Sequence, residues 1–508
     1  MLEALIKSIS PQWAVHRAIA RAHLAHVQAY EAGRTDRRTA GIRAPDTGAN
    51  AQIGPFIRRL RSRARGLVRD NPYANRIVRI QAAQQIGYGI TPRSTTGDKA
   101  VDAAVMALWN DWAARCDVNG QLDFYGQQAL AARARVEGGE VLVRLRRLTA
   151  AAARARRLPV PLLVEVVEAD FLDDSRTEFL ANRARMVHGV EFDADGQRVA
   201  YHLLASHPGE NLASNTTTAT QRVPARDVLH IYRIDRPGQV RGVSDFAPVL
   251  LRINALDGYE DAALEKARIE ACLTAFVTAS ADPASGPLGS LSQDTTAASA
   301  PRTVSFGSGM INYLRPGEAV ETVAPTGAGQ FEPFALHNLM AIAAGAGVTY
   351  DQATGDLRQA NYSSLRAGKI EYRRSLEQDQ WHMWVPRLCQ PVWDAFVDQA
   401  VMSGALPERA GGYPVKWSPP PMDMVDPSRE IPALITAMRS GLTTPQQAIG
   451  ERGWDWRDTL EQYAEFNAAL DAAKIVLDSD PRHTAASGVV QAPPDASTPP
   501  SAASPQEP

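Results

Sequence analysis

Residues 223–262 read VPARDVLHIYRIDRPGQVRGVSDFAPVLLRINALDGYEDA, and the apolar pattern changes character inside this stretch. Asp227 to Arg233 is dense in β-branched and aromatic residues, which predicts a strand. From Asp245 onward Leu250, Ile253, Leu256, Tyr259 and Ala263 recur at helical spacing, which predicts a helix extending to Ala279. A strand that feeds a long helix fits an α+β chain, and the flanking sequence extends that reading in both directions.

Upstream, Val187 to Leu204 predicts a hairpin, because Asp195-Gly196 separates Val190/Phe192 from Val199/Tyr201/Leu203. Val160 to Val167 predicts another strand. In residues 141–146, Val141, Val143 and Leu145 face one way while Leu142, Arg144 and Arg146 face the other. Four helices precede these strands. The first opens after Gly54 with Pro55 in its first turn and carries Ile57, Leu60, Ala64 and Leu67 on one side. Asp70-Asn71-Pro72 breaks it. The second carries Tyr73, Ile77 and Ile80 and ends at Gly87-Tyr88-Gly89. The third follows Asp98, with Val101, Val105, Leu108, Trp109 and Trp112 aligned. The fourth starts at Asp123, a good N-cap, and stops at Gly138-Gly139. An α+β domain over 51–243 results. Before it, residues 1–50 form an Ala/Arg-rich arm, read as flexible, with one weak helical stripe of Leu24, Val27 and Tyr30.

Downstream, residues 281–301 (ADPASGPLGSLSQDTTAASAP) are too poor in apolar residues to pack. Val304 to Val323 predicts short strands around Arg315-Pro316-Gly317. Helix returns from Phe331 to Ala346, and the polar run TYDQATGDLRQANY at 349–362 interrupts it. A long amphipathic helix starts near Ser363 and ends near Val401, with Pro386 and Pro391 expected to kink or split it. Residues 430–475 form a smaller helical unit in which Thr444-Pro445 suits an N-cap and first helical position. The tail from Pro481 has seven prolines in 28 residues and is expected to be disordered.

The length of 508 residues suggests two to four structural units. A composition of 44% hydrophobic and 22% charged residues excludes a wholly disordered chain, a collagen and a disulfide miniprotein. The net charge of -2 excludes a polycation built to grip nucleic acid along its whole surface. The charge is uneven. Residues 1–160 hold 26 Lys and Arg against 12 Asp and Glu, and the other 348 residues hold 28 against 44, giving nets of +14 and -16. Two electrostatic faces or a set of solvated helix faces both fit this imbalance. Cys116, Cys272 and Cys389 are far apart and include no CxxC, so neither a disulfide framework nor a thiolate metal site is expected, and a reducing cytoplasm fits. No apolar run reaches the length of roughly 18 residues needed to span a bilayer. Met1 to Lys7 lacks the charged start and apolar core of a signal peptide.

Motifs for catalysis are missing. A phosphate loop needs glycines and a Lys-Ser/Thr pair. Gly368-Lys369-Ile370 lacks the upstream glycine and the hydroxyl. Gly87-Tyr88-Gly89 lacks the third glycine of a dinucleotide loop. There is no HExxH, GxSxG or EF-hand loop. His188, His202 and His230 fall on the predicted hairpin and the strand after it, a spacing open to metal binding, but no carboxylate stands at fixed spacing, and ordinary histidines are the favoured reading. Asp173-Asp174 and Glu260-Asp261 fit a turn and an exposed helix face better than acid/base work. The arginines at 58, 59, 61, 63, 65 and 69 suit nucleic-acid phosphates, an acidic protein surface, or a solvated face with pairing between subunits. Trp109/Trp112 and Trp381/Trp384, at helical spacing, are expected in the core. No catalytic residue, cofactor or metal site is assigned.

The ordered stretches DNPYA (70–74), GYGITP (87–92), WNDW (109–112) with Cys116-Asp117, and DFYG (123–126) form one series. GGEVLVRLR (138–146), EADFLDD (168–174) and GVEFDADGQRVAYHLL (189–204) continue it. The longest blocks are the opening stretch at 223–262 and TGDLRQANYSSLRAG at 354–368, followed by LCQPVW (388–393) and KWSPPPMDMVDP (416–427). In this series the chain resembles the lambda-type family of tailed-phage portal proteins, over about residues 55–460.

The resemblance implies a portal-type α+β fold and a closed ring of about twelve subunits around a channel for double-stranded DNA. It implies an α/β wing at 51–243, a stem helix at 244–280, a clip-like insertion at 281–325 and a second stem helix at 326–346. A channel loop would occupy 347–362, a long helix returning to the wing 363–427, a helical crown 428–480 and a disordered tail 481–508. The low-complexity run at 281–301 departs from a compact clip. DNA would be packaged and ejected through the ring at one capsid vertex of the virion, the chain having been made in the host cytoplasm. Terminase, a separate ATP-hydrolysing chain, would dock on the clip. A head-tail adaptor and the major capsid or scaffold protein would be further partners, with no membrane involved. A lumen rich in acidic groups is expected, since a strongly basic one would hold DNA. Arg358, and with it Arg366 and Lys369, are the candidate transient contacts to phosphate. The alternatives are a phage DNA-processing enzyme, which would need a nucleotide loop or clustered metal carboxylates, and a capsid-associated scaffold or DNA-binding protein, which would bind DNA tightly without forming a ring.

Overall fold

The computed structural model describes residues 11–27, 37, 41, 46–210, 220–271, 275–279, 318–322, 331–358, 362–420, 424, 426–450, 452, 454, 456–477 and 482. The expectations for 281–317, most of 28–45 and the tail from 483 lie outside these residues. Two units are distinguished, residues 1–52 and 53–508. The first contains α1 (Pro11–Val27), a helix where only a weak stripe was expected, and most of α2 (Ala49–Ile53).

In the second unit α3 (Ile57–Asp70) and α4 (Pro72–Ile86) meet at Asn71, whose side chain accepts from the Ala74 N–H at 3.0 Å and so caps α4 ahead of Pro72. β1 (Thr91–Ser94) leads to α5 (Lys99–Ala113), capped by Asp98, and α6 (Phe124–Gly138), capped by Asp123 through a 2.6 Å bond from the Gly126 N–H. β2 (Glu140–Arg147), α7 (Ala150–Ala155) and β3 (Leu162–Glu168) follow. Then come β4 (Glu178–Phe179), β5 (Arg185–Val187), β6 (Val190–Phe192), β7 (Arg198–Leu204), β8 (Thr220–Pro224) and β9 (Val228–Tyr232). Antiparallel pairing builds a three-stranded sheet, β3-β2-β9, and a five-stranded sheet, β4-β5-β6-β7-β8. The turn at Asp195-Gly196 joins β6 to β7 as expected, with Gly196 at φ +83°.

The alternation in β2 places it between two cores. Val141, Val143 and Leu145 pack with Trp109, Trp112, Phe124, Trp393 and Phe396, whereas Leu142 packs with Val190, Phe192 and Tyr201 of the larger sheet. Gly139 ends α6 at φ +89°, and a Cβ there would lie 2.3 Å from the Val243 carbonyl carbon. Gly242, facing it, would put a Cβ 2.2 Å from the Gly139 carbonyl oxygen. The two backbones cross at a separation that admits only glycine.

After β9 come α8 (Leu250–Ala271), β10 (Ala275–Ala279), β11 (Glu318–Thr322) and α9 (Phe331–Ala346). The helix expected to reach Ala279 stops earlier because Phe276, Val277 and Thr278 favour extended chain and pair antiparallel with Ala319 to Glu321. Ile253 and Leu256 of α8 join Leu339, Ile342 and Ala343 of α9, Ile77 and Val78 of α4, and Ala64 and Val68 of α3 in a second helical core. Beyond Leu256 the packing fades, and residues 257–268 include no buried side chain.

The polar run at 349–362 is not all loop, since α10 (Tyr350–Thr354) lies at its start. α11 (Tyr362–Asp379) continues without a break through a π-helical segment, Gln380–Cys389, into α12 (Gln390–Met402). The expected kink at Pro386 is absorbed by this wider turn, in which the Gln390 N–H reaches back five residues to the Val385 oxygen. Pro391 directly follows the π-helical segment, at the second position of α12. Trp384 is buried, but Trp381 is 48% exposed and not in the core as expected. β12 (Val415–Ser418) pairs with β1, placing Trp417 opposite Pro92, a pairing the sequence did not announce. α13 (Pro427–Arg439), α14 (Pro445–Gly450) and α15 (Trp456–Ala473) complete the chain, and Thr444 with Gln447 forms the capping box of α14. Among the described residues no helix is long and apolar enough to cross a membrane.

Candidate nucleic-acid interface

The segment that carries Arg358 is mounted on the helical core. Helix α9 ends at Gly347, φ +73°, and buried Val348 turns the chain into α10. The Gln352 side chain accepts from the Thr349 N–H at 3.1 Å and closes the first turn of α10. From α4, Arg76 Nε donates to the Gln352 carbonyl at 2.8 Å and Gln81 Nε2 to the Ala346 carbonyl at 2.6 Å. Gly355, φ +76°, ends α10 against the Arg76 guanidinium.

The turn that follows is organised around Asp356. Its N–H donates to Thr354 Oγ1 at 3.1 Å, and its carboxylate accepts from the Tyr350 hydroxyl at 3.1 Å and the Arg358 N–H at 3.0 Å. Arg358 closes the turn with a fork: Nε to Oδ1 at 3.0 Å and Nη2 to Oδ2 at 2.9 Å. Its remaining nitrogen, Nη1, lies 3.6 Å from Glu332 Oε1 in the first turn of α9. The guanidinium holds the Asp356 carboxyl well below the usual carboxylate range. Arg358 is 76% exposed, yet all its nitrogens face carboxylates, and the three charged groups sum to -1. Arg366 is exposed and Lys369 half-buried on α11. They flank Gly368, which packs on Thr349 at the start of α10, so the helix and the turn are neighbours. Among the described residues no ion pair joins Arg366 or Lys369 to Arg358's partners. The sequence reading named the arginine and missed Asp356 and Glu332. The spacing Asp356-x-Arg358 is the local signal for such a turn.

The arginine-rich helix α3 keeps Arg59 and Arg63 exposed, but its other four arginines are paired with acids. Arg58 pairs with Asp174 at 2.5 Å, Arg65 with Asp170 at 2.7 Å and Glu168 at 3.1 Å, and Arg69 with Asp70 at 2.7 Å. Arg61 is buried, 2.7 Å from Glu140. Glu140, at the start of β2, is the centre of a buried network. It accepts from Arg61, from Nε and Nη2 of Arg241, from His230 Nε2 at 2.9 Å and from the Gly242 N–H at 2.8 Å. Burial pushes its carboxyl up, but Arg241, His230 and Arg61 outweigh burial and hold it well below the ordinary range. Burial pushes His230 the other way, down to about 4, so a neutral imidazole donates to the carboxylate. Two arginines already balance Glu140, and a third positive charge there has nothing left to neutralise.

The three histidines read as a possible metal set do not converge. His230 bonds Glu140, His202 lies between Arg176 and Glu191, and the His188 ring meets Thr177 and the Asp174 carbonyl. Glu168, Asp170 and His207 do bring ligand atoms within 4.8 Å of one another. Arg65 bonds both of those carboxylates and Arg61 sits 3.3 Å from Asp170, so the cluster carries its own cations. Asp173 accepts from Ser175 in a turn, as expected. Cys116 and Cys389 are buried, and burial pushes both thiols up, away from reactive thiolate.

A family profile described as "Phage portal protein, lambda family" matches residues 35–380. The probable portal protein of Halomonas phage phiHAP-1 is 27% identical over 422 residues, covering 80% of this chain and 79% of its own. The portal protein of Escherichia phage N15 is 23% identical, covering 86% and 88%. Portal protein B of Escherichia phage lambda is 23% identical, covering 56% and 59%. Among solved structures, a chain from the neck of an empty gene transfer agent particle is similar with a TM-score of 0.44 at 15% identity, covering 83% of this chain and 98% of its own. An HK97-family phage portal protein from Corynebacterium diphtheriae has a TM-score of 0.32 at 11% identity, covering 73% and 96%. On the match over most of its length, the chain belongs to the lambda family of phage portal proteins.

Proposed function

We propose that about twelve copies of this chain close into the ring at one capsid vertex through which double-stranded DNA is packaged and ejected. Membership of the portal family supports the reading and makes the chain a structural protein, not an enzyme. The observation on the molecule that carries it is α8. From residue 257 to 268 no side chain of this helix is fully buried, and Leu264 is 52% exposed. A 22-residue helix whose second half meets α9 through Tyr259, which lies against Phe331 and Phe334 at 5.7 and 4.6 Å, and leaves Leu264 exposed calls for further neighbours, and a ring supplies one on each side.

In this reading residues 51–243 are the wing, α8 and α9 the stem, 281–325 the clip, 347–362 the channel loop and 428–480 the crown. Terminase docks on the clip, and a head-tail adaptor and the capsid or scaffold protein engage the ring elsewhere. Asp257, Glu260 and Asp261 on α8 supply acidic groups of the kind a slippery lumen needs; burial and its two acidic neighbours push the Glu260 carboxyl up.

Mass measurement and imaging of the purified protein test the proposal. Twelve copies of 55.0 kDa give 660 kDa, with a central hole visible in the particles. A monomer that binds DNA tightly and loses it steeply with salt would instead favour the DNA-binding protein.

A further inference from the structure

The turn at 354–358 holds its arginine in the geometry that a phosphate would need. Two oxygens of Asp356 span the Nε/Nη2 edge of Arg358 at 3.0 and 2.9 Å, the fork by which guanidinium also takes phosphate. Glu332 faces the third nitrogen. A DNA phosphate therefore has to displace a carboxylate before it gains Arg358.

The carboxylate is itself tied down. Tyr350 and the Arg358 N–H both donate to Asp356, and the Thr354 hydroxyl holds its backbone. These bonds remain when the guanidinium swings away, so the turn keeps its shape and Asp356 stays ready to recapture the arginine. Glu332 belongs to α9 and not to the turn, so it adds a second, independent pull. Arg366 and Lys369 have no such carboxylate fork among the described residues.

From this geometry we infer that Asp356 is a competitor for DNA: it occupies Arg358 between phosphate contacts and sets how weakly the loop holds the passing duplex. The inference rests on the reading of 347–362 as a loop facing the DNA channel. It makes Asp356 a positioning residue whose effect passes through Arg358, with Glu332 as its assistant.

The test is fluorescence anisotropy of a short labelled duplex with the purified full-length ring, across a salt series. Asp356→Asn should tighten binding, and each phosphate contact it frees should steepen the salt slope by about 0.9, or about 3–4-fold in affinity between 50 and 200 mM salt. Asp356→Asn combined with Arg358→Gln should return to the wild-type affinity or below. Glu332→Gln leaves the turn intact and should tighten binding by less, which keeps the question open to measurement if Asp356→Asn fails to assemble. Asp351→Asn removes the same charge from α10 without touching the fork and should change little.

Equal tightening by Asp351→Asn would overturn the inference, because bulk charge would then explain the gain. If Asp356→Asn and Glu332→Gln change nothing while Arg358→Gln weakens binding, the competition is wrong and the channel-loop reading stands. If none of the three variants alters binding, the loop does not meet DNA and both fail together.

Discussion

Glu140 and Asp356 are carboxylates held by arginine forks, and they behave as opposites because of where they sit. Glu140 is fully buried with two arginines and a neutral histidine around it, and its partners come from α3, β9 and the segment before α8. Asp356 lies in an exposed turn, and its arginine is two residues away. In the buried case no solvent or ligand can replace a lost partner, so the network acts as a fixed strut across the α+β domain. In the exposed case water and anions compete on equal terms, so the same pairing can exchange. Burial, not the identity of the ion pair, separates a structural contact from an adjustable one.

The largest effect expected follows from breaking the buried side. Glu140→Gln leaves Arg61 and Arg241 without a counter-charge and should cost about 3–5 kcal/mol, a large part of the stability of an ordinary domain. Guanidinium unfolding and the soluble fraction on expression measure it. A loss below that of an exposed pair would mean the strut is not what holds the domain.

His230 adds a pH dependence to the same region. Its folded value near 4 lies below the ordinary value near 6.5, so the unfolded chain binds more protons between those limits. Stability therefore rises with pH across that window, and acidification from about 6.5 to 4 should remove up to about 3 kcal/mol. Above 6.5 the group contributes no slope. Unfolding midpoints taken across this range should flatten in His230→Gln.

Gly139→Ala is expected to cost about 1–3 kcal/mol through its positive φ, with the collision against Val243 added to that. A thermal melt near wild type would show that the crossing with Gly242 can open at little cost.

Asp356→Asn stands at the other end of the scale. Its unfolding midpoint should stay close to that of the wild type, because the group is only partly buried, its turn is open to solvent, and its remaining hydrogen bonds survive the change. A clear drop in midpoint would erase the contrast with Glu140 and turn the loop into part of the scaffold.

Elements with a local cause were legible in the sequence. Asp123 caps the helix that follows it, Asp195-Gly196 turns the β6/β7 hairpin, and Thr444-Pro445 starts α14, while Asn71 and Asp98, read only as a break and a helix start, also turn out to be caps. Each depends on residues within a few positions, so spacing and residue type suffice. The role of the arginine-rich helix was not legible. Arg61 finds Glu140 79 positions away, and Arg241 finds the same carboxylate across 101. Nothing in a run of arginines tells whether its acids are in solvent, on DNA or across a fold. The pairing of β1 with β12 and the exposure of Trp381 were hidden for the same reason.

The candidate site divides in the same way. The sequence by itself determined that a polar segment with Arg358 interrupts two helices, and its ordered motifs determined the family resemblance. It also determined the helix caps and the alternation of β2, since both follow from backbone hydrogen bonding and side-chain period. Only the tertiary structure decided that Arg358 is held by Asp356 and Glu332, that Arg58, Arg61 and Arg65 of α3 pair with acids far along the chain, and that α8 outruns its own core. The physical reason is that charge and burial are relations between distant parts of the chain, and only folding brings those parts within the few ångströms over which an ion pair acts.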